Sequence, residues 1–168
     1  MENCKRICHF ISIFFMVFHI RKSFCAPCDI LLKYAKDCVS PEDIDQVVSA
    51  HIPEAADEAE AVRWFMIHSF HHSNIISNIP PSPQHPLKYC EKWKDGARMC
   101  HFGYPKSIQE ETSVDSNRVL YHRGEGDAFV VPHCLPLIQK FNCHINMEIA
   151  GCGHLFQYLF KYVHKGIF

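Results

Sequence analysis

At 168 residues the chain is long enough for one domain, and its 48% hydrophobic content is that of a normal globular protein. The formal charge of −1 at pH 7 excludes a global basic field that would draw nucleic acid. Any DNA contact therefore needs a local basic patch.

The first 25 residues contain Lys5 and Arg6, then an apolar run over 10–20. That pattern looks like a weak signal peptide. The run is too short to span a bilayer. Arg21 and Lys22 interrupt the approach to a cleavage site, and Phe24 is bulky where a small residue is needed. Residues 31–36 read as a strand. Ser40-Pro41-Glu42-Asp43 is a helix start: serine caps, proline takes the first helical position and acids favour that end. This helix is expected to run to about Ala50, with Pro53 barring its continuation. A second helix is expected over 55–68, rich in alanine and acids, with Trp64 and Phe65 as anchors. Residues 73–89 form a loop with a proline-rich centre. A hairpin is expected over 117–131, turning on Gly124-Glu125-Gly126-Asp127.

Ten cysteines and thirteen histidines invite a metal reading. Within 85–101 the set His85, Cys90, Cys100 and His101 offers two thiolates and two imidazoles, a donor set suited to tetrahedral zinc. The stretch between the cysteines reads as a polar loop containing Gly96. The bland alternative is a loop with partly buried cysteines. Cys134, Cys143 and Cys152 fit as small packing residues, and Cys25 and Cys28 form a lone C-x-x-C. A secreted, disulfide-bonded chain is the weaker competing account.

The last quarter, 141–166, reads FNCHINMEIAGCGHLFQYLFKYVHKG. Phe141, Cys143, Ile145, Met147 and Ile149 alternate with Asn142, His144, Asn146 and Glu148, as in a strand with one apolar face. After the glycines an amphipathic helix is expected over 155–165, with Leu155, Phe156, Leu159, Phe160 and Val163 as its buried stripe. Tyr158 and Tyr162 are one turn apart, with Lys161 and Lys165 nearby. Such tyrosines are ordinary core anchors with wet hydroxyls. They are also plausible nucleophiles toward a phosphodiester.

Several pieces in series resemble one family. The segment VVPHCLPLIQKFNCHINMEIAGCGHLFQYLFKYVHKG at 130–166 is similar to the replication-initiator region of Helitron transposon proteins, eukaryotic rolling-circle elements. Upstream, SPEDIDQVVSAHIP resembles the family's acidic helix, MIH at 66–68 its next landmark, and CHFGYPK at 100–106 its C-x-F-x-(Y/F)-P-K element. Motifs in series are more specific than any one alone. The resemblance covers about 29–168; residues 1–28 resemble nothing in the family and are read as unrelated or mis-joined sequence.

The resemblance implies an α+β fold: an HUH-type antiparallel sheet, here partial, with flanking helices. It also implies a single-stranded DNA endonuclease and strand transferase of the two-tyrosine class. Tyr158 and Tyr162 would be its nucleophiles, Lys161 and Lys165 its phosphate contacts, and Mg or Mn its metal. A phenol with a pKa near ~10 is a weak nucleophile, so metal and cations must assist it. The chain departs from the pattern where the two histidines belong, because Pro27 and Asp29 stand there. Proline cannot ligate. Asp29, with His144 and Glu148 on the strand's polar side, is the substitute donor set. The resemblance thus implies a truncated remnant, inactive as it stands and acting in the nucleus. A non-enzymatic nucleic-acid- or protein-binding domain derived from it is the alternative. No G-x-x-x-x-G-K-[ST] phosphate loop occurs, so no ATP site is expected.

Overall fold

The computed structural model describes residues 13–19, 28–33, 40–68, 80–87, 90–115 and 118–149, with the backbone course alone for the first two stretches. Ten elements follow in chain order: β1 (Ile13–His19), β2 (Cys28–Lys33), α1 (Pro41–Asp45), α2 (Ala56–Phe65), β3 (Glu91–Lys94), β4 (Ala97–Cys100), β5 (Ser113–Asp115), β6 (Arg118–Leu120), α3 (Leu135–Phe141) and β7 (His144–Ile149). The fold is α+β, with a three-stranded antiparallel sheet ordered β2-β1-β7 and two small hairpins.

The central strand comes from the amino-terminal segment. Phe14 pairs with Leu32 on one side and Ile149 on the other; Val17 pairs with Asp29 and Asn146; His19 pairs with His144. The apolar run over 10–20 that looks like a leader thus supplies ladder positions to both neighbouring strands. The expected strand over 31–36 begins earlier, at Cys28, as β2, and its last three residues lie outside the described residues.

Ser40 caps α1 as its sequence predicts: its Oγ accepts from Asp43 N at 3.2 Å, with Pro41 in the first turn. The helix ends at Asp45 rather than near Ala50. Past it, Ser49 exchanges two backbone hydrogen bonds with His133, each 2.8 Å, which draws the chain into an extended bridge. Helix α2 likewise stops early, since Met66 O accepts from Val131 N and His68 N donates to Phe129 O.

The anchors of α2 also differ from expectation. Ala59, Val62 and Met66 are buried, while Trp64 is 70% exposed. At 100° per residue Trp64 lies about 200° from Val62, on the opposite face. Phe65 is half-buried and packs at the edge of the core. Trp64→Ala is therefore expected to leave stability within about 0.5 kcal/mol of wild type, as for other surface positions. A larger shift in the urea midpoint would place the indole against something this face does not display.

The hairpin expected over 117–131 forms one step earlier in the chain. β5 pairs with β6 in the register Ser113↔Leu120. The 124–127 turn exists, closed by Asp127: its Oδ2 accepts from Gly124 N at 2.9 Å and its N donates to Gly124 O at 3.3 Å. The chain beyond it pairs with the end of α2 instead of folding back. The stretch between Cys90 and Cys100, expected as a polar loop, is a second hairpin. Asp95 (φ 52°) and Gly96 (φ 77°) both take left-handed backbone, the demand of a two-residue I′-type turn. One face of this hairpin carries a buried ion pair, Arg98 Nη1 to Glu91 Oε2 at 3.0 Å; the same guanidinium donates to Pro86 O at 3.0 Å and to His85 O, pinning the proline-rich loop.

The apolar side of β7 is as its alternation predicts. Cys143, Ile145 and Met147 are buried with Ile44, Val48, Ala50 and Tyr121. Phe141 does not join them. It ends α3, is half exposed, and is followed by Asn142 at φ 50°, a left-handed helix cap. The far edge of β7 is covered: Met147 N donates to Pro132 O at 2.9 Å and Ile149 N to Tyr121 Oη at 3.0 Å. A second core unites Val62, Met66, Cys100, Tyr104, Val130, Val131 and Ile138.

Candidate functional site

The polar side of β7 carries His144, Asn146 and Glu148. His144 Nδ1 lies 2.6 Å from Phe65 O, at the end of α2. Donating there fixes the ring tautomer and leaves Nε2 as the basic nitrogen. Asn146 Nδ2 donates to Glu148 Oε1 at 3.3 Å, and Asn146 Oδ1 is buried with no hydrogen-bond partner among the described residues. Asp29 stands in the same cross-strand row as Asn146, each opposite Val17. Residues four apart on a strand are separated by roughly 13 Å of backbone. His144 and Glu148 therefore attend to different surroundings: one to α2, the other to the charge of Lys106. No group of three or more His, Cys, Asp or Glu side chains among the described residues converges to hold a metal. His144 and Glu148 are thus not brought to one point, and the side chain of Asp29, the third expected donor, lies outside the described residues.

A second cluster forms where the β3–β4 hairpin meets the end of α2. Cys100 is buried with its Sγ 3.4 Å from His68 Nε2. The His68 ring stacks on Tyr104 (centroids 4.3 Å, interplanar angle 17°), and Phe102 meets it edge-on at 5.9 Å. Lys106 Nζ lies 4.9 Å from the Tyr104 ring centroid and donates to Phe102 O at 2.8 Å. The CHFGYPK segment thus folds back on itself, with its aromatic residues sandwiching an imidazole. Burial, and then the Lys106 charge, lower the His68 pKa below its ordinary value. Burial also pushes the Tyr104 phenol up to about 12, although the Arg123 charge opposes it. Lys106 is shifted down, again chiefly by burial.

The proposed zinc donors divide between these surroundings. Cys100 is buried and Cys90 half-buried against the same core, and neither is in a disulfide. His101 is exposed: its backbone N donates to Cys90 O at 2.6 Å, and its ring faces Phe102 at 5.5 Å. His85 is exposed too, and its backbone N donates to Ser82 Oγ at 3.1 Å. The imidazole beside Cys100 is that of His68, 32 residues upstream and outside the expected quartet. The motif MIH marks this histidine in the sequence, but nothing local connects it to a cysteine.

Tyr158, Tyr162, Lys161 and Lys165 lie outside the described residues, as does the helix expected to carry them. No helix among the described residues is long and apolar enough to cross a membrane. The chain matches no protein-family model, no curated protein and no solved structure.

Proposed function

We propose that this chain is the remnant of a rolling-circle transposon initiator, a single-stranded DNA nicking and strand-transfer protein of the two-tyrosine HUH class, inactive as it stands. One arrangement carries the reading. The strand containing HINMEI and the strand containing CDILLK flank the same central strand, and the PEDID helix packs Ile44 onto the apolar side of the first. Three separate segments of the family resemblance thus meet around one antiparallel sheet, which supports reading it as part of an HUH-type unit. Asp29, at one of the two family histidine positions, lies on the edge strand β2, and the central strand comes from the segment without family resemblance.

On this reading Tyr158 and Tyr162 are the inherited nucleophiles, Lys161 and Lys165 the phosphate contacts, and the nucleus the place of action. In the intact family Mg or Mn supplies Lewis-acid help at the phosphate. In this chain Pro27 and Asp29 stand where the family's two histidines belong, so no catalytic step is assigned to a metal. Such help is worth several kcal/mol, and each ~1.4 kcal/mol is tenfold in rate, so its loss costs orders of magnitude.

The test is incubation with labelled single-stranded transposon-end DNA and manganese, followed by denaturing electrophoresis. The expected result is no covalent adduct, with retention of single-stranded over double-stranded DNA on a native gel at low salt. An adduct lost in Tyr158→Phe and Tyr162→Phe would overturn the inactivity. Absence of any single-strand preference would remove the initiator reading itself.

A further inference from the structure

We propose that the solvent side of the β3–β4 hairpin, with Phe102 at its open end, is a binding surface for single-stranded DNA; the identity of the strand rests on the initiator reading. The hairpin is two-sided. Glu91, Arg98 and Cys100 are buried on one side, where Arg98 already neutralises the Glu91 carboxylate. Alternation puts Lys92, Lys94, Ala97 and Met99 on the other, with Lys92 opposite Met99 and Lys94 opposite Ala97. The two lysines are about 7 Å apart along the strand, so they can meet separate phosphates of one chain. Met99 between them and the open end is 45% exposed, and Phe102, two residues past β4, is 47% exposed. Two contacts set the loop that carries this ring. Gly103 takes left-handed backbone (φ 72°) with its N donating to Cys100 O at 3.1 Å, and Lys106 Nζ donates to Phe102 O at 2.8 Å.

Charge complementarity says what covers this side. Over 91–106 the cations Lys92, Lys94, Arg98 and Lys106 meet two acids, Glu91 and Asp95. Glu91 is paired internally. Asp95 lies 3.8 Å from Lys94, between side chains 62% and 82% exposed, a weak pair that a phosphate displaces. Lys106 is held by Phe102 O and feels the Glu148 charge, so the phosphate contacts fall to Lys92 and Lys94. The exposed acids Glu54 and Asp57 stand at the start of α2, whereas its far end meets the hairpin through His68 and Cys100. A helix of this length spans about 15 Å, beyond the screening length of about 8 Å at physiological salt. Cations alone would serve any polyanion. Exposed apolar side chains among them, Met99 and Phe102, suit the flat face of an unpaired base, which a duplex hides within its stack.

Fluorescence anisotropy of labelled oligo(dT) with the full-length protein, repeated over a range of salt, tests the surface. Each phosphate contact on a single strand contributes about 0.7 to the slope of log affinity against log salt. The double variant Lys92→Gln, Lys94→Gln should therefore flatten the slope by about 1.4 and weaken binding at low salt. Phe102→Leu should weaken binding about tenfold at an unchanged slope, because it removes a stacking ring and no charge. Lys140 on α3, exposed and 5.6 Å from the Phe141 ring centroid, is the matched control, and Lys140→Gln should alter neither quantity. Phe102 also packs on His68, so its variant could disturb the loop; the lysine pair, outside both cores, carries the test by itself and should keep the wild-type urea midpoint. An unchanged slope in the lysine pair, with single-strand preference retained, would overturn the surface and leave the initiator reading standing. A slope change in Lys140→Gln in its place would move the contact to α3 and overturn it as well. Wild-type protein without single-strand preference would remove the initiator reading and this surface together. Tighter binding of oligo(U) than of oligo(dT) would assign the face to RNA and overturn the DNA assignment.

Discussion

Arg123→Ala is expected to lower the unfolding free energy by about 3–5 kcal/mol, the cost of removing one member of a buried charge network. The Arg123 side chain is buried, the residue being only 4% exposed, and its Nη1 donates to Ala50 O (3.3 Å), Asp127 O (2.9 Å) and Val130 O (2.7 Å). Ala50 belongs to the core under β7, and Val130 to the core around α2 and the hairpin. The guanidinium therefore sits at the seam between them. Burial lowers its pKa, chiefly by desolvation, yet an arginine retains its charge at any ordinary pH. Truncation leaves the Ala50 and Val130 carbonyls without this donor, while Asp127 O keeps its bond from Val130 N; unsatisfied buried groups cost about 1–3 kcal/mol each. It also removes the positive charge near Asp127, whose carboxylate accepts from Ile52 N and Gly124 N at 2.9 Å each. A small domain has only about 5–15 kcal/mol in total, so the variant should be largely unfolded at modest urea. Arg63→Ala, exposed on α2, is the matched control. Coincident urea midpoints for Arg123→Ala and Arg63→Ala would show that the seam holds without this side chain.

Arg123 also illustrates what could be read beforehand. In the sequence it stands beside Gly124-Glu125-Gly126-Asp127, a polar turn in which an arginine is ordinarily solvated. Nothing within ten residues announces that its partners include Ala50. Local chemistry was legible: the Ser40 cap, the proline-rich loop, and the alternation that buries Cys143, Ile145 and Met147 all follow from neighbours within one turn or one pleat. Helix α3 was hidden because Phe141 has the right parity to extend the β7 alternation, although Pro136 in its first turn and Asn142 as a left-handed cap are helix signals. The β3–β4 hairpin carried an explicit mark, Asp-Gly between short runs, that the polar composition of 91–99 outweighed. The ends of α1 and α2 were overrun because long-range bridges, Ser49 to His133 and Ile67 to Val130, terminate them. The same holds for the candidate sites. Cys90 and Cys100 are conspicuous by composition, whereas His68 is set beside Cys100 only by folding.

His133 should make the protein acid-sensitive in a defined window. Its ring is fully buried, with Nδ1 2.9 Å from Val131 O and Nε2 without a hydrogen-bond partner among the described residues. Donation by Nδ1 leaves the Nε2 lone pair as the basic site. Protonation would place a charged N–H where no acceptor is in reach. Burial is the largest cause lowering its pKa from 6.5 to about 4; the Val131 carbonyl opposes the shift, while His51, Arg123 and His144 reinforce it. The unfolded chain then binds a proton that the folded one refuses. The stability due to this group is fully present above pH 6.5 and falls as the pH drops toward 4. A shift of about 2.5 pH units corresponds to about 3 kcal/mol. His68, whose pKa is also lowered, acts in the same direction. Urea unfolding at intervals from pH 7.5 to 4.5 should therefore show a steep loss of stability in wild type. The loss should be shallower in His133→Asn, whose amide can still donate to Val131 O but takes up no proton. The comparison uses the slope, so a uniform cavity penalty in the variant cancels. Proton NMR gives the site-specific check: the His133 ring resonance should stay at its neutral position until the pH approaches 4. A ring that titrates near 6.5 in the folded protein, or parallel stability slopes for the two proteins, would show that protonation at this position is accommodated.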